Sequence, residues 1–162
     1  MSFTEIENAI AAIARGELVI VVDDADRENE GDLIMAAEAM TPEAMAFMIR
    51  HTSGVICMPV EGARLDELRL PLMVADNTES QRTAFTVSVD ARQGTTTGIS
   101  AADRCTTVHA LLDAATRPED HAVTFFTRMV AAHTPDEARS EVLSMREATE
   151  HGWRVNTVQA VA

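Results

Sequence analysis

Val21-Val22-Asp23-Asp24-Ala25-Asp26-Arg27-Glu28-Asn29-Glu30-Gly31-Asp32-Leu33-Ile34 is the stretch that decides how the rest of the chain is read. It follows the apolar run Leu18-Val19-Ile20-Val21-Val22, whose length and β-branched content predict a buried strand. Six carboxylates (Asp23, Asp24, Asp26, Glu28, Glu30, Asp32) fall within ten residues, with Arg27 as the only cation among them. Carboxylates so crowded repel one another unless a metal ion, a basic partner or proton sharing offsets the charge. A solvated acidic turn is the competing reading. The apolar segments on both sides, and the interleaving of Arg27 and Asn29, favour a functional loop.

A chain of 162 residues with 46% hydrophobic content supports a single domain with a sizeable core. Aromatics make up 4%, with no Tyr and one Trp, against nine Met, so the core is expected to be aliphatic and lined with alanine. A formal net charge of −13 argues against nucleic acid or an anionic membrane as partner, because their phosphates would repel the protein. An anionic ligand must therefore be held locally, by placed arginines and backbone N–H groups. No stretch reaches the length of a membrane-spanning helix and the first residues lack a signal-peptide pattern, so a cytoplasmic protein is expected. Cys57 and Cys105 form no CxxC pair and read as buried thiols.

Working outward, Ser2 and Glu5 make a capping-box signature for an amphipathic helix that carries Phe3, Ile6, Ala9, Ile10 and Ile13 and stops at Gly16. Leu33-Ile34-Met35-Ala36-Ala37 predicts a second strand. Thr41 before Pro42 opens a helix that Ser53-Gly54 ends. Gly54 to Val60 predicts a short strand, and Leu65 to Leu68 one or two turns of helix. The alternation Ala84-Phe85-Thr86-Val87-Ser88-Val89-Asp90 predicts a half-buried antiparallel strand with one face inward. After the hydroxyl-rich loop Gly94 to Ser100, Ser100 and Asp103 form a second capping box for a helix from Ala101 to Leu112, whose start is suited to an anion. Thr116 to Asp120 is a turn, and His121 to Ala132 reads as strand or helix. Thr134-Pro135 opens a further helix to His151-Gly152, and Trp153 to Val161 reads as a final strand or a tail.

The acidic loop resembles the signature of the 3,4-dihydroxy-2-butanone 4-phosphate synthase family, which supplies the four-carbon unit of riboflavin. The similarity continues through Ala37-Glu38, Arg50-His51-Thr52-Ser53-Gly54, Leu70-Pro71-Leu72-Met73-Val74 and Asn77-Thr78. It resumes at Thr83-Ala84-Phe85-Thr86-Val87, at Thr97-Gly98-Ile99-Ser100-Ala101-Ala102-Asp103-Arg104 and at Thr106-Thr107. The blocks keep the family's order and cover residues 4 to about 120.

The resemblance implies an α+β fold in one domain over residues 1–162, with a mixed or antiparallel sheet flanked by helices. It implies a homodimer and a Mg²⁺-dependent lyase, with Mn²⁺ as an alternative cation, that converts ribulose 5-phosphate to dihydroxybutanone phosphate and formate. By position, Arg27 and Glu28 contact the phosphorylated sugar, Glu28 also ligates Mg²⁺, and Asp32 binds a substrate hydroxyl. Glu28, Glu30 and Asp32 are the catalytic candidates, with Glu30 as an acid/base. The chemistry agrees, since enolisation, water loss and carbon migration of a ketose phosphate need carboxylates to move protons and a hard cation beside an enediolate.

Beyond Arg117 the family's Arg-Pro-Gly-His segment, Gly-rich stretch, Gly-His-Thr-Glu-Ala motif and late glutamate are not intact in this chain. Two placements of the remainder are open. In one, Arg117-Pro118 and His121 stand for the first segment and His133-Thr134 for the Gly-His-Thr-Glu-Ala motif, which makes His133 the second metal ligand and Thr134 a substrate contact. In the other, Glu150-His151-Gly152 through Thr157-Val158 match the family's C-terminal tail, and the catalytic segment between is deleted. The leading reading is a shortened synthase. A homologue that binds without turnover, and an enzyme acting on another small sugar phosphate, are the alternatives.

Overall fold

The computed structural model describes residues 4–23, 26, 30–80 and 82–124 with their side chains, and the backbone of 127–132 and 157–161. Helix α1, Ile6–Ala14, leads to the hairpin of β1, Val19–Val22, and β2, Gly31–Ala36. Helix α2 (Pro42–His51), strand β3 (Ile56–Glu61) and helix α3 (Gly62–Glu67) follow. Strand β4 (Val89–Ala91), helix α4 (Ala101–Leu112), and strands β5 (His121–Val123), β6 (Thr127–Ala132) and β7 (Thr157–Val161) complete the described elements. The α+β fold expected from the sequence is the fold observed.

The described strands form one sheet in the order β1-β2-β7-β3-β6-β4-β5. The β3–β6 pair is parallel and every other neighbouring pair antiparallel, so the sheet is mixed. The registers draw one row across it: Ile20, Leu33, Ala160, Ile56, Thr127, Val89 and Val123. Trp153 to Val161, read from sequence as strand or tail, supplies in β7 an interior strand between β2 and β3. His121 to Ala132 resolves into β5 and β6. The helix expected from Thr134 to Gly152 lies outside the described residues.

Several elements follow directly from local sequence. Thr41 caps α2, its Oγ1 accepting the Ala44 N–H at 3.1 Å, with Pro42 at the first helical position where no N–H is needed. Ser100 caps α4 in the same way, accepting the Asp103 N–H at 3.0 Å. At the end of α1, Gly16 has φ +76°, and a Cβ there would lie 2.9 Å from that of Ala39, so both conformation and space call for glycine.

Three expectations need correction. Helix α1 begins at Ile6 behind Glu5, which makes no side-chain cap, and Ser2 lies outside the described residues. Strand β1 is not buried: it pairs with β2 alone among the described strands, leaving Ile20 73% and Val22 48% exposed at the sheet's edge. The alternating stretch from Ala84 enters the sheet only at Val89, after a single bridge between Thr86 and Leu72. Thr86, Ser88, Val89 and Asp90 are all buried, so burial is not confined to one phase, while Ala84, Phe85 and Val87 are half-buried. Some of the segment's polar groups find partners, whereas Asp90 Oδ1 has none among the described residues. The Thr86 hydroxyl donates to the Val87 carbonyl, and the Ser88 carbonyl accepts from the Thr124 N–H.

The core lies between the sheet and helices α2 and α4. It is aliphatic, as expected, but methionine has a larger part than alanine: Met35, Met40, Met45, Met48 and Met58 are all buried beside Ile56, Leu65, Leu68, Val89, Val108 and Leu111. Unbranched methionines fill the irregular space between layers that have no large aromatic to do so. Cys57 and Cys105 are both buried, and burial pushes the Cys105 thiol up from its usual range, away from the reactive thiolate.

Candidate active site

The row across the sheet places two loops at one end of it. Asp32 in β2 and Asp90 in β4 each lie one residue beyond the row in the same direction. The β1–β2 loop and the loop after β4 therefore open on the same side. Four strand spacings separate them, about 19 Å of sheet width.

The β1–β2 loop is closed at its base by reciprocal bonds. The Asp23 N–H donates to the Glu30 carbonyl at 3.3 Å, and the Glu30 N–H donates to Asp23 Oδ1 at 2.8 Å. Asp23 thus spends one carboxylate oxygen on shaping the loop. Asp26 and Glu30 are exposed, and Asp32 is half-buried on β2 between Val21 and Val161. Arg27, Glu28, His133 and Thr134 lie outside the described residues, as does Asp24.

Among the described residues, no three His, Cys, Asp or Glu side chains come together closely enough to hold a metal. The loop is nonetheless rich in carboxylates, the ligand type that Mg²⁺ takes. A magnesium site here is chemically suited to the loop and requires Glu28 or another residue beyond the described ones to close it.

The second loop is built by one acid. Asp103, buried near the start of α4, accepts the Thr96 hydroxyl at 2.8 Å, the Thr96 N–H at 3.1 Å and the Gly98 N–H at 3.1 Å. The Thr96 hydroxyl, with these neighbours, holds the Asp103 carboxyl below the usual carboxylate range. In sequence Asp103 is fully explained as part of a helix cap. In the structure its N–H serves the cap, and its side chain in addition grips Thr96 and Gly98. The run Thr95-Thr96-Thr97-Gly98 just upstream is the signal that marks it.

Neighbouring residues take structural positions. Arg104 is buried, donating to the Gly54 carbonyl at 2.7 Å and the Ile99 carbonyl at 3.3 Å. Burial lowers its pKa from the usual arginine value, and the nearby Asp90 carboxylate acts in the opposite sense. His121, the first placement's candidate for the family histidine, is buried in β5 with Nε2 at 2.9 Å from the Leu68 carbonyl. Asp90 and Arg92, which sequence reading did not single out, border a cavity of about 390 Å³ with Thr95, Thr96, Thr97 and Thr124. The signal for Asp90 was an acid at the end of an alternating apolar stretch.

The match to known proteins agrees with this geometry. The family model for 3,4-dihydroxy-2-butanone 4-phosphate synthase matches residues 7–124. The chain is 61% identical over 122 residues to the 3,4-dihydroxy-2-butanone 4-phosphate synthase of Agrobacterium fabrum, covering 75% of this chain and 57% of that protein. It is also 61% identical over 118 residues to the riboflavin biosynthesis protein RibBA of Nocardia farcinica, covering 73% of this chain and 28% of the relative. The matched part is thus little more than half of the Agrobacterium protein and under a third of the Nocardia one. A crystal structure of 3,4-dihydroxy-2-butanone 4-phosphate synthase in complex with two magnesium ions superposes with a TM-score of 0.88 at 39% identity, over 98% of this chain and 76% of that one. The Candida albicans synthase superposes with a TM-score of 0.82 at 39% identity, over 99% and 80%. By sequence over residues 7–124 and by fold over nearly its whole length, the chain belongs to the 3,4-dihydroxy-2-butanone 4-phosphate synthase family.

Proposed function

We propose that the chain is a Mg²⁺-dependent lyase of riboflavin biosynthesis that converts ribulose 5-phosphate to 3,4-dihydroxy-2-butanone 4-phosphate and formate. The observation that carries this reading is the acidic β1–β2 loop, closed at its base by Asp23 and Glu30, in a chain 61% identical over 122 residues to a synthase of that name. A hairpin that holds exposed carboxylates at the end of a sheet has a use when those groups move protons. Bound Mg²⁺, as in the homologous crystal structure, supplies a positive charge beside a developing enediolate.

The chain's own residues divide the remaining work. Arg27 and Glu28 contact the sugar phosphate, with Glu28 also a metal ligand. Asp32, fixed in β2 at the base of the loop, accepts a substrate hydroxyl. Glu30, exposed beside it, takes the proton in the enolisation and returns one later. The water eliminated after enolisation is taken up again when formate leaves, so the sum of the reaction balances without an oxidant or reductant. In the placement that sets His133-Thr134 at the Gly-His-Thr-Glu-Ala motif, His133 would be the second ligand and Thr134 a substrate contact.

β7 lies inside the sheet, and superposition on a solved synthase covers 98% of this chain but 76% of the relative. Both facts support the placement in which residues from Glu150 onward correspond to the family's C-terminal tail and the shortening falls between β6 and β7. The exposed apolar residues Ile20, Ile99 and Val123 support a homodimer. No helix among the described residues is long and apolar enough to cross a membrane, which accords with a cytoplasmic enzyme.

The test is formate release from ribulose 5-phosphate with Mg²⁺ and with excess chelator. Metal-dependent release is expected. Absence of release from folded protein sinks the proposal.

A further inference from the structure

We infer that the acidic β1–β2 loop takes its cation through oxygen ligands alone, because strand β6 carries the chain, and with it the start of His133, to the opposite end of the sheet. The inference rests on the reading of that loop as the Mg²⁺ site and adds to it the class of ligand.

The registers fix the direction of each strand. β2 and β3 are both antiparallel to β7, and β6 is parallel to β3, so β2, β3 and β6 all run the same way. β2 starts at the acidic loop and runs away from it. β6 therefore also runs away from the loop's end of the sheet, from Thr127 beside Ile56 to Ala132 beside Glu61. The loop extends in the other direction, since Asp23 and Glu30 bond across its base, outside the last strand pair of Val22 and Gly31.

Strand geometry turns these directions into distances. Glu30 stands three residues beyond the row at Leu33, Ala132 five residues beyond it on the other side at Thr127, and β2 and β6 are three strand spacings apart. Together these put about 28 Å between Glu30 and Ala132. Glu28 follows from Glu30 within about 7 Å of chain, and His133 from Ala132 within about 4 Å. At least about 17 Å remains between their Cα atoms, whereas two side chains that meet on one ion have Cα atoms within roughly 12 Å. Glu28 and His133 of one chain do not share a cation.

The described histidines offer no substitute. His109 has Nε2 at 2.9 Å from the Met40 carbonyl, beyond the end of β2 that lies away from the loop. His121 is buried in β5, five strand spacings from β2, with Nε2 on the Leu68 carbonyl. His51, exposed at the end of α2, packs against Phe47 with ring centroids 4.4 Å apart. What the loop itself brings is carboxylates. Oxygen ligands suit hard cations such as Mg²⁺, Mn²⁺ and Ca²⁺ and give up the preference that imidazole confers on Zn²⁺ or Ni²⁺.

The experiment uses Mn²⁺ as the probe on the full chain. Its affinity is measured by electron paramagnetic resonance titration, and directly bound nitrogen by electron spin-echo modulation. The wild type is expected to bind Mn²⁺ without the nitrogen coupling of a ligated imidazole. His133→Ala should bind it within about twofold of the wild type, and Glu28→Gln should bind it about tenfold more weakly or worse, since the charge of the ligands sets affinity at such a site. A nitrogen coupling in the wild type overturns the inference, from whichever chain or histidine it comes. Its loss in His133→Ala would name that histidine and leave the metal reading of the loop standing. No Mn²⁺ binding by the wild type, or equal affinity in Glu28→Gln, overturns the inference and the metal reading together. The nitrogen measurement needs no variant, so a substitution that fails to fold leaves it intact. Formate release does not enter, so loss of the lyase activity alone leaves the ligand result legible.

Discussion

Gly98 rests directly on the buried carboxylate of Asp90: a Cβ placed on Gly98 would lie 1.9 Å from Asp90 Oδ2. Its φ of +82° excludes ordinary side chains for a second, independent reason. Gly98→Ala is therefore expected to lose at least about 1–2 kcal/mol from the left-handed backbone alone, with a further loss from the displaced carboxylate. Urea denaturation measures it, and an unchanged midpoint would show that the loop does not sit on Asp90.

Asp103 gives a pH-dependent signature. Its folded-state pKa is depressed below the usual aspartate value of 3.8, first by the Thr96 hydroxyl. A depressed folded pKa contributes stability that is present above the unfolded value and lost as pH falls through the folded one. The stability gap between the wild type and Asp103→Asn should therefore be constant from neutral pH down to about pH 5 and close below it. Denaturation midpoints at several pH values check this. A gap that widens on acidification would reverse the assigned sign.

Thr41 offers a test of a single cap. Its Oγ1 satisfies the Ala44 N–H at 3.1 Å, so Thr41→Ala should cost about 1 kcal/mol. Thr41→Ser, which keeps the acceptor, should recover most of that. Equal losses in both variants would mean that methyl packing, not capping, is what Thr41 contributes.

Caps like this one were legible because their causes are local. Thr41-Pro42 and Ser100 with Asp103 set helix starts through bonds spanning three residues, and both helices begin where those pairs predict. Strand β2 was equally legible from its apolar run. Depth was not legible. Leu18 to Val22 has a core composition yet lies at an edge, because strand order is decided by β7, more than a hundred residues later in the chain. From Ala84 to Asp90 the alternation was visible, but Thr86, Ser88 and Asp90 are buried together with Val89, and partners such as Thr124 are announced by no local pattern. The acidic loop stood out in sequence through its charge. The grip of Asp103 on Thr96 and Gly98 did not, since a helix cap already accounted for that residue.

Glu28→Gln and His133→Ala separate the contributions to metal dependence. The first keeps the size of the side chain and removes its charge, so Mg²⁺-dependent formate release should fall by about a hundredfold or more if Glu28 is a ligand. His133→Ala should do the same if His133 completes the site, and should leave turnover unchanged if the shortened segment removed that ligand. Mg²⁺-dependent turnover that survives Glu28→Gln at wild-type rate would remove the acidic loop from the metal site.

The interior position of β7 also bears on how the protein is made. Strands β2 and β3 emerge early in synthesis, yet among the described strands they are joined in the sheet through residues 157–161 alone. Until that segment appears, the nascent chain carries two unsatisfied strand edges facing a strand-wide slot, the kind of surface that pairs promiscuously with other chains. Closure of the sheet awaits contacts more than a hundred residues apart, which favours slow, late folding. For this chain, how long those edges stay open during translation is set by where its last described strand is inserted.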